Sequence, residues 1–277
     1  MIPNFLFIGP DKTGSSWMYS ILKQHPQCFV PQCKDIYFFD RYYNRGLEWY
    51  FSFFKEADPS HLAVGELSHD YLFSEEVAKR IKADLPNVKL MTCLRHPVER
   101  TFSHYLFMIR SGRTQEPFEV ALKNYPELIN NSLYYKHLSE YLKYFSRDQL
   151  KILLFQDLKS SPKQFAKQIF DYLDVPFIET LNYEQEVLGA SRPRVFMLAQ
   201  LAKSGANIAR DLGLATLVGQ VKQSNITKIL YTPFKAGEKP RMAANTATEL
   251  LDIFREDTLQ IQALLETDLS SWLTCKQ

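Results

Sequence analysis

A turn rich in glycine, lysine and hydroxyl side chains near the amino terminus has the composition of a phosphate-binding loop. It follows an apolar run at positions 5–8 and precedes apolar residues at helical spacing. Free backbone N–H groups and the positive end of the helix dipole favour an anion at such a strand–turn–helix junction. The turn therefore predicts a phosphate site, formed by Lys12, Thr13, Gly14, Ser15, Ser16 and Trp17.

The turn differs from the Walker A loop of nucleoside-triphosphate enzymes. Gly9 and Gly14 keep the glycine spacing of that motif, but two serines replace the Lys-Ser/Thr pair that follows the second glycine. The lysine instead precedes Gly14, at Lys12. A P-loop kinase also needs acidic residues that hold magnesium, and these are not evident. A non-catalytic nucleotide-binding module and an ordinary Gly/Ser turn remain as alternatives at this point.

A carboxylate lies directly beside a dense aromatic cluster in the segment Lys34-Asp35-Ile36-Tyr37-Phe38-Phe39-Asp40. Burial among rings raises the pKa of a carboxylate and makes it a better base near neutral pH, whereas a neighbouring lysine opposes that shift. The alternative is that Asp35 caps a turn and the rings belong to the core. Asp35 is therefore a candidate general base, with the turn cap left open as the alternative at this point.

A second anion site is predicted where the apolar run 88–94 ends. Pro97 suits the first position of a helix, so Arg95 falls at the carboxyl end of a strand and Ser103 two turns into the next helix. A guanidinium grips phosphate through its forked donors, and a hydroxyl adds one more. An arginine that forms a salt bridge at the strand end is the alternative. Both predicted anion sites fall at the carboxyl ends of strands, where open α/β sheets bind ligands.

The elements that must position these residues alternate between strands and helices. Apolar runs at 5–8, 28–30, 62–66, 88–94 and 150–155 predict strands, with helical patterns between them. Consecutive strand–helix units require parallel pairing with right-handed crossovers. We predict a single domain over 1–277 with an α/β fold, in which helices flank a mostly parallel sheet of four or five strands. A helical insertion at 195–230 is interpreted as a substrate-side cap.

These motifs, in this order, resemble the sulfotransferases that use 3′-phosphoadenosine 5′-phosphosulfate (PAPS). The resemblance is closest to the carbohydrate branch, the heparan sulfate glucosaminyl enzymes and their bacterial relatives. That branch reads P-K-[TS]-G-[TS]-[TS] in its phosphosulfate loop and R-[DNH]-P-x-[ED]-R-x-x-S-x-Y in its 3′-phosphate motif. Asp268-Leu269-Ser270-Ser271-Trp272 is similar to its D-L-S-x-W ending. The match covers roughly 4–178 and 235–273 and implies a P-loop-like fold.

The resemblance implies metal-free transfer of a sulfuryl group from PAPS to an acceptor hydroxyl, or less often an amine. Lys12 would neutralise the leaving 5′-phosphate oxygen. Arg95 and Ser103 would anchor the 3′-phosphate. Asp35 stands where the branch usually has its catalytic glutamate, and its side chain is one methylene shorter.

Relatives imply roles for residues outside those motifs as well. Phenol and steroid sulfotransferases use a histidine as base in the region of His69, which makes His69 the alternative to Asp35. Glu66 would orient the base or the acceptor. Further nucleotide contacts are implied at a helix start and in a loop that closes over the adenine, at Ser132, Arg192 and Arg194.

Composition limits the function classes. A net charge of +2 over 277 residues argues against a nucleic-acid-binding protein. No apolar run approaches the roughly 18 residues that span a bilayer, and no signal peptide precedes the first strand, so we expect a cytoplasmic location. The cysteine spacing fits neither a metal site nor a C-x-x-C pair and predicts free thiols at Cys28, Cys33, Cys93 and Cys275.

The expected partner is a small-molecule or carbohydrate acceptor, free or carrier-bound. A sugar, a phenolic metabolite or a carrier-bound acyl chain would suit a pocket with aromatic walls. The 195–230 insertion and four aromatic side chains are predicted to line it, namely Tyr37, Phe38, Trp49 and Tyr50.

Overall fold

The computed structural model describes residues 1–185, 191–224, 230–235 and 237–274. The chain divides into two compact units. The first is Met1–Arg95 with Lys136–Val187, and the second is His96–Tyr135 with Leu188–Gln277. Cys275 and positions 225–229 of the predicted insertion lie outside the described residues.

A parallel sheet forms the centre of the first unit. Its strands are β1 (Phe5–Gly9), β2 (Cys28–Phe29), β3 (Ala63–Leu67), β4 (Lys89–Leu94) and β5 (Leu150–Leu154). They are ordered β2-β3-β1-β4-β5, and every adjacent pair is parallel. Residues of β1 and β3 are buried along their whole length, which is typical of a sheet covered on both faces. The prediction of a mostly parallel α/β sheet is confirmed.

Helices lie between the strands, as the sequence pattern predicts, and also after the last strand of the sheet. They are α1 (Ser15–Gln24), α2 (Gly46–Phe51), α3 (Glu75–Asp84), α4 (Pro97–Arg110), α5 (Phe118–Asn124), α6 (Glu127–Asn130), α7 (Tyr134–Tyr141), α8 (Phe155–Ser160), α9 (Pro162–Tyr172), α10 (Phe196–Asp211), α11 (Ala215–Gln223) and α12 (Ala244–Leu265). A π-helical turn spans Phe38–Tyr42. No described helix is long and apolar enough to cross a membrane.

The core of the first unit packs α1 and α9 on the sheet. Trp17, Met18, Ile21 and Leu22 are at most 6% exposed, and this spacing places them on one face of α1. Trp17 meets Phe165 of α9 edge to face, with ring centroids 5.8 Å apart. Burial of such side chains contributes about 1.5–3 kcal/mol each, so this packing fixes α1, and with it the turn that precedes α1.

The starts of two helices are stabilised in different ways. Ser74 occupies the N-cap of α3, but its side chain makes no capping hydrogen bond. The acidic first turn, Glu75 and Glu76, favours that helix end through the helix dipole instead. Helix α7 begins at Tyr134, where the side chain of Asp257 accepts a hydrogen bond from the Tyr135 N–H at 3.1 Å.

The second unit has its own core and a small antiparallel ribbon. Apolar side chains of α4, α5 and α12 pack together, among them Phe102 and Phe118, with ring centroids 5.0 Å apart. The ribbon pairs β6 (Ser191–Pro193) with β7 (Tyr231–Pro233). The sequence predicted a loop at β6, but strand pairing across the ends of the insertion orders it. Helices α10 and α11 confirm the helical character of the insertion.

Candidate active site

The glycines at each end of the predicted phosphate loop are required by close packing. Gly9 ends β1 at φ 118°, and a Cβ there would lie 2.2 Å from the carbonyl oxygen of His69. Gly14 is the N-cap of α1 at φ 94°, and a Cβ there would lie 2.7 Å from Leu158. At Gly9 the contact is with backbone that cannot move aside, whereas at Gly14 it is with the end of the Leu158 side chain, and the positive φ is the stronger reason for glycine. The loop is therefore held in one narrow path between β1 and α1.

Within the loop, the hydroxyl and lysine side chains have different surroundings. Thr13 is fully buried, and its hydroxyl donates to the Pro10 carbonyl oxygen at 2.7 Å. Ser15 is buried, whereas Lys12 and Ser16 are half-exposed. Thr13 thus shapes the loop from inside. Its predicted contact with a phosphate, like those of the serines, stays a prediction.

The amino terminus of α1 suits an anion. It has no side-chain cap and no acidic residue in its first turn, so its first N–H groups and the positive end of its dipole are not offset by a carboxylate of the helix itself. Trp17 is buried and its Nε1–H donates to the Tyr183 carbonyl oxygen at 3.2 Å. Trp17 thereby anchors the helix whose end faces the loop.

Arg95 comes to the phosphate loop because β4 is the neighbour of β1 in the sheet. Its Nη1 lies 3.4 Å from the carbonyl oxygen of Lys12. The guanidinium also lies 4.9 Å from the centre of the Phe155 ring at the start of α8, a cation–π distance. The structure therefore brings the backbone of the first predicted anion motif and the arginine of the second into contact.

Asp35 and His69, the two candidate bases, form one pair. Asp35 Oδ1 lies 2.7 Å from His69 Nδ1 and 3.3 Å from Lys34 Nζ. Asp35 is buried and has a left-handed backbone at φ 65°, and its N–H donates to the Leu67 carbonyl oxygen at 3.0 Å. Tyr37, also left-handed at φ 58°, places its hydroxyl 3.3 Å from His69 Nε2. Left-handed residues of this kind cluster at functional sites.

The surroundings of His69 favour its protonated form. Burial lowers the pKa of His69, but the charges of Asp35 and Asp70 and the hydrogen bond to Asp35 raise that pKa above its ordinary value overall. His69 Nε2 lies 3.4 Å from Asp70 Oδ1. The imidazole thus holds its proton more tightly than a free histidine does.

Glu66 supports this pair from the interior. It is 1% exposed, and burial raises its pKa to about 7. Tyr71 and Tyr50 donate to its Oε1 at 2.8 and 3.1 Å. Ser68 donates to its Oε2 at 2.6 Å and accepts a hydrogen bond from the Tyr37 N–H at 3.2 Å. Glu66 therefore fixes the segments that carry Tyr37 and His69.

Three further residues of this network were missed by the sequence reasoning. Arg41 pairs with Asp70, and its guanidinium lies 4.0 Å from the centre of the Tyr37 ring. Burial raises the pKa of Asp40 to about 6, although Arg41 lowers it. Asp70 follows His69 directly in the chain, and Asp40 and Arg41 extend the aromatic motif. That adjacency was the available signal.

Two of the residues proposed to line an acceptor pocket belong to the core instead. Phe38 and Tyr50 are fully buried and stack on each other, with ring centroids 4.5 Å apart. Trp49 is half-buried, and its ring lies 5.0 Å from the Arg45 guanidinium. Of the four aromatic residues, Trp49 and Tyr37 retain a place near polar groups.

Ser103 and Ser132 lie in the second unit. Ser103 is half-buried on α4, as the spacing predicts. Ser132 is fully buried, and its hydroxyl accepts a hydrogen bond from Arg100 Nη1 at 3.0 Å and lies 2.9 Å from the Thr101 hydroxyl. Packing explains Ser132 in this structure. Its contact with a nucleotide, and that of Ser103, stay predictions.

Arg192 and Arg194 also belong to the second unit. Arg192 lies in β6 and pairs with Glu238 at 2.9 Å. Arg194 is exposed just after β6, and its N–H donates to the Leu230 carbonyl oxygen at 2.9 Å. The predicted basic loop is therefore the end of a strand, and its role at a nucleotide stays a prediction. Cys28, Cys33 and Cys93 are buried thiols.

Comparison with known proteins gives one family. The model of the sulfotransferase domain matches residues 3–189. The bifunctional heparan sulfate N-deacetylase/N-sulfotransferase 4 of Mus musculus is 28% identical over 302 residues, which cover 98% of this chain and 31% of that protein. The membrane-associated sulfotransferase kil1 of Dictyostelium discoideum is 36% identical over 111 residues, or 39% of this chain and 24% of that protein. The chain thus spans less than a third of the length of these relatives.

A solved structure shares the fold over the whole chain. The sulfotransferase from Alicyclobacillus acidocaldarius matches with a TM-score of 0.73 at 24% identity, and the match covers 99% of this chain and 100% of that chain. The parallel sheet and its flanking helices are therefore an arrangement already seen by crystallography.

Proposed function

The chain belongs to the sulfotransferase family, and we propose that it transfers a sulfuryl group from PAPS to an acceptor hydroxyl, or less often an amine. The observation that carries this proposal is the contact of the two anion motifs, in which Arg95 Nη1 lies 3.4 Å from the Lys12 carbonyl oxygen. A donor with phosphates at both ends of one nucleoside needs two cationic groups at one sheet edge. A metal-dependent kinase would instead need a Lys-Ser/Thr pair directly after the second glycine and acidic residues that hold magnesium.

The phosphate loop fits the sulfated end of PAPS. Gly14 presents no side chain, and the uncapped first turn of α1 offers N–H donors. In the proposal, Lys12 and Ser16 hold the 5′-phosphate together with those donors. Negative charge develops on the 5′-phosphate oxygen as its bond to sulfur breaks, and Lys12 neutralises that charge.

Asp35 is the proposed base, and His69 is its positioning partner. The acceptor oxygen forms its bond to sulfur as its proton passes to Asp35, and the bond between sulfur and the 5′-phosphate oxygen breaks. The products are the sulfated acceptor, 3′-phosphoadenosine 5′-phosphate (PAP) and a proton that Asp35 releases to water. His69 holds its own proton tightly, so it donates to Asp35 and orients the carboxylate.

Other parts of the proposal rest on the sequence and on relatives. The acceptor is a sugar or a small metabolite, free or carrier-bound. This choice is supported by the heparan sulfate enzyme named above. Ser103, Ser132, Arg192 and Arg194 are proposed to complete the nucleotide contacts, within one catalytic domain over 1–277. A cytoplasmic location is also proposed, alongside the finding that no described helix could cross a membrane.

The test supplies PAPS labelled in its sulfuryl group, together with a panel of hydroxylated and amino acceptors. We expect label to appear in one acceptor class, with one PAP formed for each sulfated product. The same reaction in EDTA should run at an unchanged rate, because no metal takes part in the proposed step.

Two outcomes would overturn the proposal. Magnesium-dependent phosphorylation of an acceptor by ATP, with no reaction from PAPS, would identify a kinase. Tight binding of PAP without transfer to any acceptor would identify a nucleotide-binding module. The panel therefore has to include sugars, phenols and acyl-carrier conjugates before the second outcome is accepted.

A further inference from the structure

Helix α10 buries its small residues and exposes its large ones. Ala199 is 1% exposed, and Ala202 and Ala206 follow it at helical spacing on the same, partly buried face. Phe196 and Gln200 contact Gly112, where a Cβ would lie 2.9 Å from the Gln200 nitrogen. This face therefore seats the helix closely on the second unit. An ordinary surface helix places its large apolar residues inward, so the arrangement is reversed.

The outward face of the insertion is a dense apolar surface. Of the sixteen large apolar side chains that are exposed among the described residues, nine lie between 195 and 221. On α10 the exposed fractions range from 51% to 70%, for Met197, Leu198, Leu201 and Ile208. Leu217 and Val221 continue the surface on α11 at 53% and 50% exposure. An exposed apolar concentration of this kind marks an interaction site.

Positive charge is concentrated in the same part of the chain. Residues 191–242 contain nine Lys or Arg and two Asp or Glu, a net charge of +7. The whole chain carries +2, so all other positions together carry −5. Arg194, Lys203, Lys235, Lys239 and Arg241 are exposed. Along the chain, cations therefore precede and follow the apolar surface, although Arg210 is buried and Arg192 is offset by its pair with Glu238.

We propose that this surface, which we term the insertion face (residues 195–221 with the flanking cations), docks on an anionic lipid surface. A helix that presents leucine, isoleucine and methionine with basic residues beside them lies in the plane of a membrane interface, and anionic headgroups add attraction. A second copy of the chain is the less favoured occupant, because the exposed cations that flank the surface in sequence would repel those of the other copy. The proposal concerns attachment and is independent of the proposed reaction.

The experiment is co-sedimentation of the full chain with vesicles of phosphatidylcholine mixed with phosphatidylglycerol, compared with pure phosphatidylcholine. We expect binding to the anionic vesicles that weakens as salt is raised. The double variant Leu201→Ser, Ile208→Ser should lower the partition constant about tenfold, since each buried methylene contributes to interfacial binding. The matched control is Ile253→Ser, Leu259→Ser on α12, two residues that are 48% and 40% exposed. It should bind as the parent chain does.

Several outcomes would overturn the proposal. Absence of binding to anionic vesicles would do so, and so would equal binding to both vesicle types. Another contrary outcome is an α10 variant that binds the anionic vesicles as well as the parent chain, with salt releasing both proteins. Binding would then come from the cations alone, as at a general polyanion site, and the apolar surface would play no part. Sedimentation velocity gives a further check, because a dimer that the α10 variant dissociates would identify a second copy as the occupant.

Discussion

The phosphate loop and the Asp35–His69 pair lie at the ends of the neighbouring strands β1 and β3, yet different forces hold them. The loop is confined by close packing, in which Gly9 leaves no space for a Cβ against the backbone of His69 and Gly14 lies against the Leu158 side chain. The pair is held by a chain of hydrogen bonds that runs from Glu66 through Ser68 to the backbone of Tyr37. The phosphate loop therefore depends on positions without a side chain, whereas the Asp35–His69 pair depends on which groups its polar atoms bond to.

This difference follows from what each region has to do. A phosphate is bound by backbone N–H groups, and these need a fixed path more than particular side chains. A base has to keep its protonation state and orientation, and both depend on the charges around it. The two regions also meet, because the carbonyl oxygen of His69 lies where a Cβ of Gly9 would stand.

The largest effect is expected where the two regions meet, in Gly9→Ala. The new Cβ would lie 2.2 Å from a backbone oxygen that cannot rotate away, at a φ of 118°. We expect the free energy of unfolding to fall by about 4 kcal/mol, from overpacking and backbone strain together. Chemical denaturation measures this loss, and the activity of the folded fraction should fall as well.

Gly46→Ala is the matched control for backbone strain alone. Gly46 has φ 77°, but a Cβ there would meet nothing within 4 Å. Its ψ of 162° puts it in a backbone region that is essentially confined to glycine, so we expect a loss of about 1–3 kcal/mol from this conformation alone. If the two variants lost the same stability, close contact between the regions would contribute nothing.

The fold could be predicted because its signals are local. Continuous apolar runs indicated strands buried on both faces, and Pro97 marked the start of α4. The glycine spacing likewise indicated the loop. The ribbon of β6 and β7 was missed because each strand has three residues and depends on a partner about forty positions away, which no local pattern reports.

The candidate site was predicted as separate residues and not as a network. Asp35 and His69 were treated as alternatives, since nothing in the sequence shows that a chain with two left-handed residues brings them to 2.7 Å. The sequence also could not show that Phe38 and Tyr50 are fully buried, because an aromatic side chain suits a core and a pocket equally. Hydrogen-bond partners distant in sequence are the information that the pattern lacks.

The next largest effect is expected at the Asp35–His69 pair, in Asp35→Asn, which removes the proposed base. Asparagine keeps the shape of the side chain and also tolerates a left-handed φ, so the fold should persist. We expect turnover to fall about a thousandfold, in the range of lost general base catalysis, with PAP affinity unchanged. Loss of the Asp35 charge should also lower the pKa of His69, which an NMR titration of its imidazole measures.

Asp70→Asn separates the base from its surroundings. Asp70 also raises the pKa of His69, so this variant should lower that pKa too while turnover stays near that of the parent. If His69→Asn abolished turnover and Asp35→Asn retained it within tenfold, His69 would be the base and the assignment would be reversed.

A smaller effect is expected in the phosphate loop, in Lys12→Ala. We expect turnover to fall about a hundredfold, the scale of one lost charge at a developing oxyanion, while PAP affinity weakens less. Lys12→Arg is the control. Lysine, alanine and arginine all carry a Cβ, so the left-handed φ of 65° strains each of them alike. Steady turnover in Lys12→Ala would remove Lys12 from the proposed step.

The smallest effect concerns stability and pH, in Glu66→Gln. Because burial raises the pKa of Glu66 to about 7, the folded chain binds a proton near neutral pH that the unfolded chain has released. Stability from this group is therefore full at low pH and is lost as pH rises toward 7. Between pH 5.5 and 7 the loss is about 2 kcal/mol by linkage.

Urea unfolding of the parent should show this fall in the free energy of unfolding, and Glu66→Gln should reduce the fall, because glutamine does not titrate. Asp40→Asn is the comparison, since its parent pKa of about 6 moves the same kind of loss to lower pH. Equal pH dependence in the parent and Glu66→Gln would mean that Glu66 stays charged in the interior, and that its three hydroxyl partners alone stabilise it.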